Sequence, residues 1–127
     1  MHEVTRTRFI EHRGTRILFL DFSEVHDKGE ALRAIFDAWE LIRTQPPNSL
    51  LTLTYVKSSR FDTDIVNALK ELAEKDKPFV KAGAVVGLGG LQRVVYRAVV
   101  YFSGRHLPAF EEMEEAKDWL VGQAGGS

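Results

Sequence analysis

The chain of 127 residues contains no cysteine, which excludes a disulfide scaffold, a thiolate zinc site and a cysteine nucleophile. Long apolar runs are missing too. None approaches the ~18 residues that a membrane span needs, and the first twenty residues, with Glu3, Arg6, Arg8, Glu11 and Arg13, hold no apolar signal-peptide core. No excess charge of one sign exists either: 17 Lys and Arg against 18 Asp and Glu leave −1, so nothing global draws the chain to nucleic acid or membrane. His2, His12, His26 and His106 are scattered with no pair at helical ligand spacing, and neither a metal nor another cofactor is expected. A cytoplasmic, non-integral protein is the expectation.

What is present reads as an ordinary globular chain, 44% hydrophobic and 28% charged. Area scaling for this mass gives roughly 6,800 Å² exposed when folded against about 21,000 Å² unfolded, enough burial for a core without staples. Residues 1–122 are expected to form a single domain, with 123–127 as a flexible tail.

Alternation from Val4 to Glu11, with neither face cleanly apolar, predicts an edge strand. Gly14 permits a reversal into a second, more buried strand over Arg16–Phe22. Asp27 and Glu30 fit a capping box, followed by a helix to about Arg43 with Leu32, Ile35, Phe36, Trp39 and Ile42 inward. After Pro46-Pro47, Leu50–Val56 reads as an interior strand, and Asp62 or Thr63 caps a second helix with a stripe of Ile65, Val66, Leu69, Leu72 and Ala73 that Pro78 stops. Val80–Val86 is a fourth strand running into Gly87-Leu88-Gly89-Gly90. A third helix then places Leu91, Val94, Val95, Ala98, Val99 and Phe102 inward and ends at Gly104, and Pro108 opens a fourth with Phe110, Met113, Ala116 and Leu120 inward. The order predicts an α/β fold: a small, mostly parallel four-stranded sheet with an N-terminal antiparallel hairpin and four helices.

Ligand sites in such sheets gather outside the carboxyl ends of the strands, here Ser23–Asp27, Lys57–Asp64 and Gly87–Gly90. The glycine loop fails the dinucleotide pattern because Gln92 stands at the third glycine position, and it lacks the Gly-Lys-Ser/Thr of a phosphate loop. A hydrolase built from His26 with Ser58 or Ser59, oriented by Asp21 or Ser23, lacks a Gly-x-Ser-x-Gly elbow. No catalytic residue is therefore assigned. Charge is more informative. Val80 through Phe110 holds no acid against Lys81, Arg93, Arg97 and Arg105, and Glu111, Glu112, Glu114, Glu115 and Asp118 follow. On the third helix Arg93, Tyr96 and Arg97 lie opposite the apolar stripe, a cationic face suited to an acidic partner, a phosphate or an anionic lipid headgroup. The alternative is a solvated face whose arginines pair with the acidic stretch. Neither a recognition-helix motif nor an aromatic strand platform points to nucleic acid. Val100 and Tyr101 leave apolar surface on which two copies can pair.

The strand order together with Val85-Val86-Gly87-Leu88-Gly89-Gly90-Leu91-Gln92-Arg93-Val94, Phe102-Ser103-Gly104-Arg105 and Glu115-Ala116-Lys117-Asp118-Trp119-Leu120 resembles the SpoIIAA-like branch of the STAS superfamily. The resemblance implies a small non-enzymatic domain, similar to anti-sigma-factor antagonists and more distantly to lipid-carrying SEC14-type domains. In antagonists of this kind a serine of an Asp-Ser-Ser-Gly stretch at a helix start is phosphorylated. Here that stretch falls on Asp62-Thr63-Asp64-Ile65, with Asp64 where the phosphorylated serine would stand. The resemblance and the charge pattern together single out Ser58, Ser59, Asp62, Thr63, Asp64, Arg93, Tyr96 and Arg97 as the binding surface, for a protein partner or an anionic small ligand. A peripheral lipid-binding or carrier domain is the alternative function.

Overall fold

A computed structural model describes residues 6–124. It contains β1 (Thr7–His12), β2 (Thr15–Asp21), α1 (Lys28–Ile42), β3 (Leu50–Tyr55), α2 (Thr63–Asp76), β4 (Val80–Val86), α3 (Gly90–Ser103), β5 (Ala109–Phe110) and α4 (Met113–Ala124). The sheet has five strands in the order β1-β2-β3-β4-β5. β1 pairs antiparallel with β2, and the pairs from β2 to β5 are parallel. Each parallel step advances one strand in the same direction. Right-handed crossovers then place α1, α2 and α3 on one face of the sheet, and the chain must return α4 to cover the other.

Two apolar clusters follow from this. Leu18, Leu20, Leu50, Val56 and Val85 point towards α1–α3, whereas Ile17, Phe19, Leu51, Leu53, Ala84 and Val86 meet Ala116 and Leu120 of α4. Alternate residues of each strand supply the two faces. β1 is the edge, as its mixed pattern predicts, although Val4 and Thr5 lie outside the described residues.

Three expectations need correcting. The strand count is five, because Pro108 does not open a helix: Val85 N–H donates to Pro108 O at 2.9 Å, Ala109 and Phe110 pair with Val85 and Val86, and α4 begins only at Met113. Helix α4 also runs through Ala124, whose carbonyl accepts from Lys81 Nζ at 3.3 Å, so residues 123 and 124 are helical rather than tail. In α1 the face against the sheet is Ala31, Ala34, Ile35, Ala38 and Ile42, leaving Leu32 at the surface and Phe36 61% exposed. Small alanines let the helix approach the sheet more closely than Leu32 and Phe36 would. Asp27 caps α1 by accepting from Glu30 N–H, but Glu30 spends its carboxylate on Arg6 at 3.3 Å rather than on a return bond.

Candidate functional site

The strand-end loops converge as expected. Glu24 N–H donates to Lys57 O at 2.8 Å, Arg60 N–H to Val25 O at 3.0 Å, and Gln92 Nε2 to Ser59 O at 2.8 Å. Gly87, at φ +93, lets the β4–α3 turn approach the β3 loop: a Cβ there would lie 2.9 Å from Lys57 N. The convergence uses up several of the predicted site residues. Ser59 is buried, its hydroxyl donating to Phe22 O and accepting from Val25 N–H, so it ties two loops together. Asp62 caps α2 by accepting from Ile65 N–H at 2.9 Å. Asp64 pairs with Lys28 of α1, and hydrogen bonding to Asp64 raises the lysine's pKa. Ser58, in the left-handed region at φ +60, and Thr63, at the first position of α2, remain exposed.

Helix α3 is rotated from the orientation its sequence predicts. Gln92, Val95, Tyr96 and Val99 face the interior, whereas Leu91, Val94 and Phe102 are on the outside. Polar bonds account for the turn. Tyr96 hydroxyl donates to Leu107 O, and Gln92 reaches Ser59 O while accepting from Gly89 N–H at 3.0 Å. Tyr96 therefore belongs to the interior and not to a face shared with Arg93 and Arg97, which stay exposed. Nor does the acidic helix claim those arginines: α4 lies across the sheet, although Glu111, ahead of that helix, shares a crevice with Arg93.

Beneath α3 lies a cavity of about 90 Å³. Its floor is Leu20, Phe22, Thr52, Thr54, Val56 and Val85 of the sheet, and Leu69, Leu72 and Ala73 of α2 form one wall. Val95, Tyr96 and Val99 roof it, with Leu107 at one end. The floor exists partly because Gly83 carries no side chain. A Cβ there would sit 2.7 Å from Thr52 Oγ1 and 2.8 Å from Leu107 Cδ2, so the glycine leaves room for the Arg105–Leu107 segment to fold over β4.

The apolar wall is interrupted by one charged pair that the sequence reading did not assign to a site. Arg105 Nη1 stands 3.7 Å from Asp76 Oδ2 and donates to Ala73 O at 3.3 Å. Both side chains are less than a tenth exposed, and Asp76 Oδ1 has no hydrogen-bond partner. Burial pushes the Asp76 carboxyl up to about 7 even though Arg105 pulls the other way, and burial also lowers the Arg105 pKa. At 3.7 Å without a bidentate fork, the pair recovers less than desolvation costs. Tyr96 hydroxyl is pushed up by the same burial. The result is an apolar pocket with a polar end that titrates near neutrality.

This arrangement, three crossover helices on one face of a mixed sheet with an N-terminal hairpin, is a SpoIIAA-like α/β fold. A solved structure from Shewanella loihica PV-4, described as an uncharacterized protein of the DUF3478 family with a SpoIIAA-like fold, is similar at a TM-score of 0.69 and 17% identity, over 90% of this chain and 91% of that one. At that identity the likeness establishes fold alone. Neither protein-family models nor curated proteins match the chain. Among the described residues no helix is long and apolar enough to cross a membrane, and no group of acidic or histidine side chains is placed to hold a metal ion.

Proposed function

We propose that the chain is a non-enzymatic binding domain that holds a small, mainly apolar molecule with one polar end in the cavity under α3. The observation that carries this reading is the cavity itself: preformed, apolar over most of its wall, and polar at one end through Asp76 and Arg105. Its volume is below the ~150 Å³ of a dry cavity that admits benzene, so a larger ligand enters by displacing α3. That helix is the element able to yield, since it leans on α2 rather than on the strands and fully buries only Ser103. The Ser59 version of the serine-based hydrolase loses support from the same geometry, because Ser59 hydroxyl is committed to two backbone groups.

A protein partner at the strand-end loops is the second reading. It is favoured by Thr63, exposed at the start of α2, where a phosphate would meet the positive end of the helix. Native mass spectrometry of protein gently purified from its own host tests both. The cavity reading expects a co-purifying small molecule that is absent from a folded Val99→Trp variant, in which the indole fills the space. It is overturned if wild type carries nothing and binds neither medium-chain acids nor alcohols, or if Val99→Trp binds as well as wild type. A phosphoryl mass on Thr63 with an empty cavity moves the conclusion to the second reading.

A further inference from the structure

The outward face of α3 is unusual for a surface helix. Leu91 is 83% exposed, Val94 63%, Tyr101 91% and Phe102 53%, and the four lie on one arc of the helix. Apolar side chains gathered in this way mark a contact surface rather than scatter. Cations border the arc on both sides. Arg93 and Arg97 are exposed along one flank, and on the other Lys70 of α2 sits 5.6 Å from the centroid of the Phe102 ring. No aspartate or glutamate occurs between Val80 and Phe110, so α3 itself carries positive charge with no acid of its own. The acids nearest the face come from outside the helix, Glu111 in a crevice with Arg93 and Asp62 in one with Leu91 and Val94 that Lys28 and Arg60 also line.

The occupant must supply both negative charge and apolar depth. A second copy supplies one or the other. Pairing α3 with α3 buries the apolar arc but sets Arg93 and Arg97 against the same residues of the other chain, with no acid on α3 itself to separate them. Setting α3 on the acidic side of α4 supplies charge through Glu114, Glu115 and Asp118, but the apolar side chains beside them, Met113, Trp119 and Val121, are already partly buried and offer little to cover Leu91 and Tyr101. An anionic bilayer surface meets both requirements: headgroups for the guanidinium and ammonium groups, and an acyl boundary for the apolar side chains. With 14 residues, α3 is too short to cross a membrane, but at ~1.5 Å per residue it is long enough to lie along one.

We propose that α3 docks the domain flat onto an anionic membrane surface, with Leu91, Val94, Tyr101 and Phe102 entering the headgroup boundary and Arg93, Arg97 and Lys70 among the phosphates. This goes beyond the cavity reading and does not depend on it, although docking would set the cavity's movable roof against the lipid.

The test is co-sedimentation of the full chain with vesicles of phosphatidylcholine alone and of phosphatidylcholine mixed with phosphatidylserine. The wild type is expected on the mixed vesicles and not on the neutral ones, with binding weakened by added salt. At roughly five-fold in partitioning per basic residue, Arg93→Gln with Arg97→Gln should weaken binding about 25-fold, and Leu91→Ser with Tyr101→Ser should abolish it. All four positions are exposed, so each variant is expected to keep the wild-type circular dichroism and melting temperature. Lys117→Gln, on the helix across the sheet, should bind as wild type. The proposal is overturned if wild type ignores anionic vesicles, if it binds neutral vesicles equally, or if either double variant binds unchanged. Sedimentation showing a dimer that depends on Leu91 and Tyr101, without vesicle binding, would assign the face to a second copy. Because the Val99→Trp experiment reads only the cavity, failure of one proposal leaves the other standing.

Discussion

Asp76 makes the electrostatic reasoning about the cavity measurable. Its carboxyl rises from 3.8 to about 7 on folding because it is buried, so between those values the folded chain binds a proton that the unfolded chain does not. Stability from this group is therefore fully present below the unfolded value and falls as pH rises towards 7, levelling off above it. The full shift, at 1.36 kcal/mol per unit, corresponds to about 4 kcal/mol. Over the practical range from about pH 5 to about pH 8, roughly 2.5 kcal/mol of it is traversed. Asp76→Asn keeps the shape and cannot titrate, so the difference in unfolding free energy between wild type and variant isolates the group from every other ionisation. Wild type should lose about 2.5 kcal/mol relative to Asp76→Asn across that range. In urea, with a slope of ~1.5 kcal/mol per molar, the two midpoints should shift relative to one another by about 1.7 M. A pH-independent difference would mean that the carboxyl is not raised. A difference of opposite sign would mean that Arg105 at 3.7 Å outweighs burial and holds Asp76 ionised, and the account of the polar end would be wrong.

Two further substitutions probe the parts that build the site. Gly83→Ala places a methyl 2.7 Å from Thr52 Oγ1 and 2.8 Å from Leu107 Cδ2. Overpacking of this kind costs about 1–3 kcal/mol and should appear as a clear drop in thermal midpoint, whereas an unchanged midpoint would show that the Arg105–Leu107 segment moves freely. Ser59→Ala strips the hydroxyl from Phe22 O and Val25 N–H and should cost about 1–3 kcal/mol in urea unfolding, since buried groups are left unpaired. Retention of wild-type stability would mean that Ser59 is not a tie between the loops.

The elements were legible because each rests on local rules. β1 reads as an edge from its mixed alternation, Asp62 and Asp27 read as caps from their position before apolar periodicity, and Gly104 adopts the left-handed C-cap at φ +67. The fifth strand was not legible, because two residues, Ala109 and Phe110, form no pattern and are extended only through pairing with Val85 and Val86. The site was less legible than the fold. Ser58–Asp64 and the Arg93/Arg97 face were read from resemblance and charge, and the structure shows Ser59 and Asp62 holding loops and a helix end together. Asp76 did leave a trace: it follows Ile65, Leu69 and Leu72 at spacings of 4, 3 and 4, an acid on the apolar stripe of α2. Its partner, 29 residues further on, left none, because only the tertiary fold brings Arg105 back over Gly83.

Helix α3 is where the local rule and the structure disagree most, and the disagreement has a direction. Burying Leu91, Val94 and Phe102 would remove more apolar area from water than burying Gln92, Tyr96 and Ser103, so the hydrophobic term favours the other rotation. The observed one is held by hydrogen bonds to Ser59 O and Leu107 O, each contributing on the order of 1 kcal/mol net. A chain selected for stability alone would have placed polar residues at Leu91, Val94 and Tyr101. Conflicts of this kind concentrate where a surface or pocket is put to use, and here one helix carries two of them, a polar inner face beside a cavity and an apolar outer face towards solvent. Both faces have a use if α3 is the moving part: the inner bonds are few enough to break when a ligand enters, and the outer side chains gain an apolar surface when the helix docks.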